Sequence, residues 1–558
     1  MKLVECVPNF SEGRNRKTLD AIAAAIEGVE GVKLLDVDPG YDANRTVMTF
    51  IGELGPMGEA AFQAIRTASE LIDMRVQKGE HPRMGATDVC PFVPVSGLDM
   101  TDCVRLAEEV GERVASDLGI PVYLYEYAAK FEDRRNLANI RSGEYEGLAD
   151  KIGDPQWKPD FGEPRFNARA GATVIGARKF LIAYNFNLNT RDKALADRVA
   201  FRIREKGSAK RDAEGKIVRD PEGRAMMVPG RFKAVRAIGW YIPEYEKAQV
   251  SMNLTDHKVS PLHEVFEAAC EEAEAQGLRV TGSELVGLIP LEVLRDAGVY
   301  FLDKQGSSPG APEAELVRVA VHSLGLAELG PFDPKKRIIE YRFDDPEGPF
   351  CRGSLSRFFD EISMGTPTPG GGSASAAMAS AAVALVSMVA NLTVGKKGYE
   401  GARDRMKQIA TGAQDLRASL MRAIDDDARA YDRVMEAFRL PRGNEAEREA
   451  RLCAIEVATM EAIRVPMIVL DGAVRTLELA KETAVQGNVN SLSDAAVAAA
   501  AARAAAEGAY FNVLINLRTL ERDDEGKRTE AEALMERADN LAEKIASYTK
   551  EKLGDNPG

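Results

Sequence analysis

The sequence predicts an α+β N-terminal part followed by an all-α helical-bundle C-terminal domain. Three observations carry this. Before residue 326, short β-branched and aromatic runs alternate with windows of helical period. Between 329 and 353 turn formers crowd together, as in Gly330-Pro331-Phe332-Asp333-Pro334 and Asp344-Asp345-Pro346-Glu347-Gly348-Pro349. Beyond 354 the strand signals stop, and Ala, Met, Leu, Arg and Glu fill long helical windows with few prolines.

In order, residues 2–10 read as a strand, 15–28 as an amphipathic helix, and 32–38 and 46–51 as strands. A helix over 56–73, an apolar run at 89–95, a helix over 101–118 and a strand at 121–125 follow. Strand, helix, strand, strand, helix, strand is the order of a ferredoxin-like βαββαβ sandwich. The order recurs: a long strand from 172 to 185, a helix at 191–206, strands at 233–242 and 247–254, a helix at 259–277 and a strand-like patch at 284–286. Two such subdomains are therefore expected, at 1–180 and 181–328, then a linker at 329–353 and the helical domain at 354–558. The polar stretch 207–231 reads as a solvated hairpin or loop.

At 558 residues the chain is too long for one core. A formal charge of −14 leaves no cationic excess for phosphates and argues against nucleic acid. No apolar run reads as long enough to span a bilayer, and the start lacks the apolar core of a signal peptide. Six scattered cysteines without a CxxC pair suit a reducing cytoplasm and make a structural zinc site unexpected.

Three clusters in the first part could carry chemistry. Asp36, Asp38, Asn44 and Arg45 lie at the end of one predicted strand and the start of the next. Lys78-Gly79-Glu80-His81-Pro82-Arg83-Met84-Gly85 sets one of four histidines in a loop that Gly and Pro keep from being a helix. Such an imidazole can trade protons near neutral pH while a cation anchors a carboxylate; a solvated loop histidine is the competing reading. The third is Asp160-Phe161-Gly162-Glu163-Pro164, running on to Gly171, whose glycines let backbone amides approach a planar ligand.

The strings Val4-Glu5-Cys6-Val7-Pro8-Asn9-Phe10-Ser11-Glu12-Gly13, Lys78 to Gly85, and Gly176-Ala177-Arg178-Lys179-Phe180-Leu181-Ile182-Ala183 resemble the glutamate formimidoyltransferases. The likeness continues through Gly239-Trp240-Tyr241 to Pro331-Phe332-Asp333-Pro334. It implies transfer of the formimino group of N-formimino-L-glutamate to N5 of tetrahydrofolate. It places the catalytic histidine on His81 and folate contacts on roughly Gly162 to Gly171, with Glu163 and Pro164. Asp36, Asn44, Arg45 and Glu80 are the further substrate-binding candidates.

In the helical part, Pro369-Gly370-Gly371-Gly372-Ser373 precedes an alanine-rich helix and could offer free amides to an anion or ring; a tight turn with serine capping is the plainer reading. Asp425-Asp426-Asp427 cannot all face one pocket. Tyr431 and Met435 share the face of Asp427, which selects it as the buried acid. Thr368 to Ser373, the Asp-rich helix and Ser491-Leu492-Ser493-Asp494 through Leu517 resemble the formimidoyltetrahydrofolate cyclodeaminases. The order of the two parts matches the bifunctional family that joins both activities. The resemblance puts the second catalytic residue on Asp427, with Gly370, Gly371, Gly372, Ser373 and Cys453 toward folate. Asp494 is a second polar candidate, or simply an N-cap. The implied reaction closes 5,10-methenyltetrahydrofolate and releases ammonia. No histidine follows His322, which speaks against a zinc-water deaminase in the last third.

The expectation is thus a cytoplasmic, homo-oligomeric folate enzyme of histidine degradation and one-carbon metabolism. It has no tightly bound cofactor or metal, takes polyglutamylated tetrahydrofolate as co-substrate, and has no nucleic-acid or membrane partner. Alternatives are a methenyltetrahydrofolate cyclohydrolase in the helical part, a formiminoglycine donor, or a folate-binding scaffold with one inactive half.

Overall fold

The computed structural model describes residues 2–41, 44–79, 82–343, 348–520 and 524–554. They form two compact units: Met1–Val293 with Gly325–Asp344, and Leu294–Leu324 with Asp345–Gly558.

The first unit opens with β1 (Leu3–Cys6), β2 (Asn9–Phe10), α1 (Arg16–Glu27), β3 (Val32–Gly40), β4 (Arg45–Glu53), α2 (Leu54–Leu71), β5 (Thr87–Ser96), α3 (Met100–Leu118) and β6 (Val122–Glu126). The short α4 (Leu137–Arg141) and α5 (Leu148–Lys151) precede β7 (Thr173–Ala177). Across the sheet run β3, β4, then β1 and β2 end to end, β5, β7 and β6. The first part is antiparallel, and β7 and β6 add to it in parallel. The predicted strand at 2–10 is broken between β1 and β2 at Pro8, which has no N–H for the ladder. One face packs Val4, Cys6, Phe50, Cys90 and Phe92 against Ile22, Phe62, Ile65 and Val110 of the helices.

The second sheet uses β8 (Ile182–Leu188), α6 (Lys193–Ile203), β9 (Ser208–Ala209), β10 (Met227–Val228), β11 (Val235–Ile242), β12 (Lys247–Leu254), α7 (Leu262–Glu274) and β13 (Val280–Val286). Its order, β11-β12-β8-β13, is antiparallel throughout, the ferredoxin-like arrangement expected. The single strand expected over 172–185 is two: β7 closes the first sheet and β8 starts the second. The chain crosses at Arg178-Lys179, where Arg178 N–H still reaches Phe92 O (3.0 Å) and Lys179 pairs with Asp256. The excursion 207–231 is a hairpin ladder, with β9 paired to β10 and bridges at Arg211–Ile217 and Arg219–Ala225.

In the second unit, α8 (Leu291–Lys304) from Leu294 onward and α9 (Glu313–Ser323) group with the bundle; α10 (Pro334–Arg337) and α11 (Ile339–Phe343) return to the first. Then come α12 (Pro349–Arg352), α13 (Leu355–Ile362), α14 (Gly371–Val394), α15 (Arg403–Arg439), α16 (Glu445–Gln486), α17 (Leu492–Leu517) and α18 (Glu525–Gly554). Small residues bring the helices close: Gly472 faces Leu420, and Gly508 faces Ser375. The reading that no apolar run could span a bilayer is corrected, because the 24 residues of α14 carry no charge and are long and apolar enough. α14 is the core helix of the bundle, packed on α15, α16 and α17.

Candidate active sites

The first unit gathers three of its sequence strings. Ser11 N–H donates to Ala86 O (2.9 Å) and its hydroxyl to Gly85 O (2.7 Å). Ala86 N–H reaches Ala170 O (2.8 Å), and Ala172 N–H reaches Met84 O (3.2 Å). A Cβ at Gly85 would lie 2.3 Å from Ala172 O, and one at Gly171 2.1 Å from Met84 O. Both glycines are therefore required, and Gly171 also takes φ +70°. Glu80 and His81 lie outside the described residues, and so do their contacts. The chain on either side of them is anchored: Asn44 amide donates to Lys78 O (2.8 Å), and Met84 N–H to Asp88 Oδ1 (2.9 Å).

Asn44, at φ 47°, spends both ends of its amide on backbone, since its Oδ1 also accepts from Gly13 N–H (3.0 Å). Its role here is to hold the loops rather than to reach a ligand. Arg45 donates to Asn9 Oδ1 and stands 3.8 Å from Asp88 Oδ2. Burial draws its pKa down to about 10, with Asp88 opposing and Arg141 adding to the fall. Arg141 also binds the buried Asp88. Asp88 and Arg141 were not singled out in the sequence. A lone acid inside the buried run 87–93 was the available signal for the first, and Arg141 offered none.

The anchoring cation expected at Arg83 is already engaged. It is buried, donates to Glu146 Oε1 (2.8 Å) and to Gln77 Oε1 (2.8 Å), and with Lys78, Gly79, Gly143, Glu144 and Glu146 lines an open cleft of about 480 Å³. Gly162, Glu163 and Pro164 are exposed, and Gly162 and Glu163 help line a second cleft of about 520 Å³ with Phe166 and Asn167. The loop starts from a buried ion pair, Arg134 to Asp160 at 2.7 Å, whose carboxylate also accepts from Leu124 N–H (2.8 Å). Asp36 stands exposed on the edge strand β3, away from this meeting of loops.

In the second unit the glycine run and the acid meet. Gly370 precedes α14, and a Cβ at Gly372 would fall 2.1 Å from Asp427 Oδ1. Ser373 Oγ lies 3.1 Å from Asp427 Oδ2 and 2.9 Å from Ile424 O. Burial raises the Asp427 carboxyl above its ordinary range, opposed by hydrogen bonds from Ser373. The neighbouring acids are used otherwise. Asp425, the most buried of the three, accepts from Phe350 N–H (3.0 Å) and Cys351 N–H (3.3 Å), while Asp426 pairs with Arg429 at the surface. The apolar face expected through Tyr431 is not what covers Asp427: Tyr431 is exposed, and the cover is the start of α14. On α17, Asn512 amide approaches Gly371, a contact the sequence reading missed.

Asp494 and Cys453 do not join this group within the chain. Asp494 sits in the first turn of α17, fourteen residues and so about 21 Å before Gly508, where α17 meets Ser375. The segment leading into it instead meets the far end of α14, Asn488 N–H donating to Thr393 Oγ1 (2.8 Å). Ser491 is the N-cap, so Asp494 is not one. Cys453 is exposed near the end of α15, where Arg451 donates to Phe438 O (3.1 Å). Phe438 is eleven residues past Asp427, about 16 Å along the helix. Among the described residues, no group of three or more His, Cys, Asp and Glu side chains is placed to hold a metal ion.

Comparison with known proteins divides the chain in sequence order, and its second segment takes in residues 294–324, which group with the bundle in the structure. Residues 3–178 match the formiminotransferase domain, N-terminal subdomain, residues 183–344 the formiminotransferase domain, and residues 354–537 formiminotransferase-cyclodeaminase. The formimidoyltransferase-cyclodeaminase of Rattus norvegicus is 44% identical over 94% of this chain and 94% of its own length. The glutamate formimidoyltransferase of Thermoplasma acidophilum is 42% identical over 56% of this chain and 95% of its own. The methenyltetrahydrofolate cyclohydrolase of Methylorubrum extorquens is 37% identical over 36% of this chain and 97% of its own. The chain belongs to the formimidoyltransferase-cyclodeaminase family.

Proposed function

We propose that the chain performs two successive folate reactions: it moves the formimino group of N-formimino-L-glutamate to N5 of tetrahydrofolate, then closes the product to 5,10-methenyltetrahydrofolate with loss of ammonia. The observation that carries the second reaction is the seating of Asp427 on Gly372 and Ser373. For the first, His81 takes the N5 proton as N5 attacks the amidine carbon and gives it to the departing glutamate nitrogen. Arg45 and Arg141, held by Asp88, supply cationic charge beside the His81 loop for an anionic donor. Tetrahydrofolate lies along Gly162 to Gly171.

In the second reaction N10 attacks the carbon of the N5 amidinium, forming the new C–N10 bond. Asp427 as the acid protonates the former imino nitrogen, and its carboxylate then takes the N10 proton. The C–N bond to nitrogen breaks, ammonia leaves, and the cationic methenyl bridge remains. One proton is lent and one recovered, so a single raised carboxyl suffices.

The related cyclohydrolase makes hydrolysis of the methenyl bridge the second reading of the helical unit. Exposed Val457 and Met460 on α16 and Phe511 and Ile515 on α17 support a homo-oligomer. A reducing, cytoplasmic setting, a polyglutamylated co-substrate and a place in histidine degradation complete the proposal. An assay with N-formimino-L-glutamate and tetrahydrofolate, following methenyl absorbance and ammonia together, tests it. Wild type should yield both, and Asp427→Asn should stop at 5-formiminotetrahydrofolate. Glutamate release without ammonia would leave the helical unit to the hydrolase or the folate-binding scaffold reading.

A further inference from the structure

Ser373 Oγ has two oxygen neighbours, Ile424 O at 2.9 Å and Asp427 Oδ2 at 3.1 Å. A backbone carbonyl can only accept, and a serine hydroxyl carries one proton. With that proton on Ile424 O, the contact to Asp427 Oδ2 is a hydrogen bond only if the carboxyl brings its own. Ser373 side chain is fully buried, so no water is needed to complete the arrangement.

The surroundings favour the same state. The start of α14 carries no charged side chain, and on α15 Asp425 is capped by backbone N–H groups and Asp426 is bound to Arg429. On α16 Arg464 is paired with Glu461, and on α17 the Asn512 amide near Gly371 donates to Gly508 O (2.8 Å). Burial pushes the Asp427 acid upward, and the Ser373 hydroxyl, then its N–H at the helix start, pull the other way. The orientation of one hydroxyl therefore decides which form is held.

We propose that Ser373 is a positioning residue of the ammonia-releasing step: fixed by Ile424, its hydroxyl accepts from Asp427 in the carboxylic-acid form and turns to donate once that proton has left. Ile424 O keeps its helical partner when the hydroxyl turns, so nothing is stranded. The cycle balances, since the proton goes from Asp427 to the leaving nitrogen, Ser373 swings to the carboxylate, and the N10 proton restores the acid and the first orientation. The inference rests on Asp427 being the acid of that step.

The experiment is the pH–rate profile of ammonia release from preformed 5-formiminotetrahydrofolate, in full-length wild type, Ser373→Ala, Ser373→Thr and Asp427→Asn, with formimino transfer as the control for folding. Ser373→Ala should lower the rate roughly tenfold and move the alkaline limb to higher pH, because the charge-assisted bond to the carboxylate is the stronger of the two the hydroxyl makes with Asp427. Ser373→Thr should restore both. A limb that moves to lower pH would mean that the hydroxyl never turns to the carboxylate, and a slower rate with an unmoved limb would mean a purely packing role; either overturns the proposal. Full ammonia release by Asp427→Asn would instead remove the acid itself, a separate failure. Should Ser373→Ala not fold, difference infrared spectra between wild type and Asp427→Asn at neutral pH give the second test. A protonated-carboxyl band supports the proposal, and its absence sinks it.

Discussion

At the scale of single residues, the glycines decide more than the acids do. Three aspartates stand in a row on α15, and the two less exposed ones each lie against a glycine: Asp425 against Gly348, where backbone N–H groups of Phe350 and Cys351 take its carboxylate, and Asp427 against Gly372. Gly372→Ala places a methyl carbon 2.1 Å from Asp427 Oδ1, so the carboxylate must move. Ammonia release should fall about 100-fold while glutamate release in the same preparation stays at the wild-type rate. A second residue-scale prediction concerns Glu5, buried on β1, whose pKa burial raises to about 7, with Arg178 opposing and Glu340 adding. Its stabilising contribution is complete below pH 4.5, the ordinary value, and is lost as pH rises through 7. Glu5→Gln should remove that loss, leaving the variant on the order of 3 kcal/mol more stable than wild type at pH 8, relative to their difference at pH 4. Urea unfolding at the two pH values measures it, and parallel stability profiles would refute it. The sequence pointed to Asp427 through helical spacing and through the family resemblance, and the fold shares only half of the spacing argument: Asp427 is covered, but not by the face of Tyr431. Periodicity can say which acids share a face, but not that a glycine from another helix provides the cover.

At the scale of elements, the first site is a set of loops stapled by backbone hydrogen bonds, and the staples were legible only as glycines in quoted strings. Nothing local ties Gly85 to Gly171, eighty-six residues apart. Their pairing comes from β5 and β7 lying side by side in parallel. The strand-splitting at Arg178-Lys179 escaped for a related reason: an apolar run does not say which sheet each half will join. The clash of a methyl group with Met84 O, together with φ +70°, predicts that Gly171→Ala costs about 1–3 kcal/mol. It should also raise KM for tetrahydrofolate in the transfer assay more than it lowers kcat, because the loop that carries the folate candidates is displaced as a whole. Thermal unfolding and steady-state kinetics on the same variant check both, and a change confined to kcat would detach that loop from folate.

At the scale of the whole molecule, chain order and compact units do not coincide. Residues 294–324 precede the turn-rich stretch that marks the change of texture, yet they group with the bundle. Composition could not foretell this, since amphipathic helices such as α8 and α9 look alike whichever core they complete. What holds them is local and specific. Gly310, between the two helices, offers its carbonyl to Asn391 amide (2.8 Å) and Gln414 amide (3.4 Å). A Cβ there would lie 2.3 Å from Ala410 Cβ, so only glycine seats that carbonyl between α14 and α15. Asp303 and Arg295 on α8 add ion pairs to Lys407 (2.5 Å) and Asp415 (3.9 Å). Gly310→Val in the full chain should therefore unseat the helical pair from the bundle. Hydrogen exchange should quicken across α8, α9 and the 385–414 stretch of α14 and α15, while β1, β4 and β5 keep their protection. If exchange instead quickened in the first sheet and spared the bundle, α8 and α9 would belong with the transferase unit, as the run of the sequence suggests.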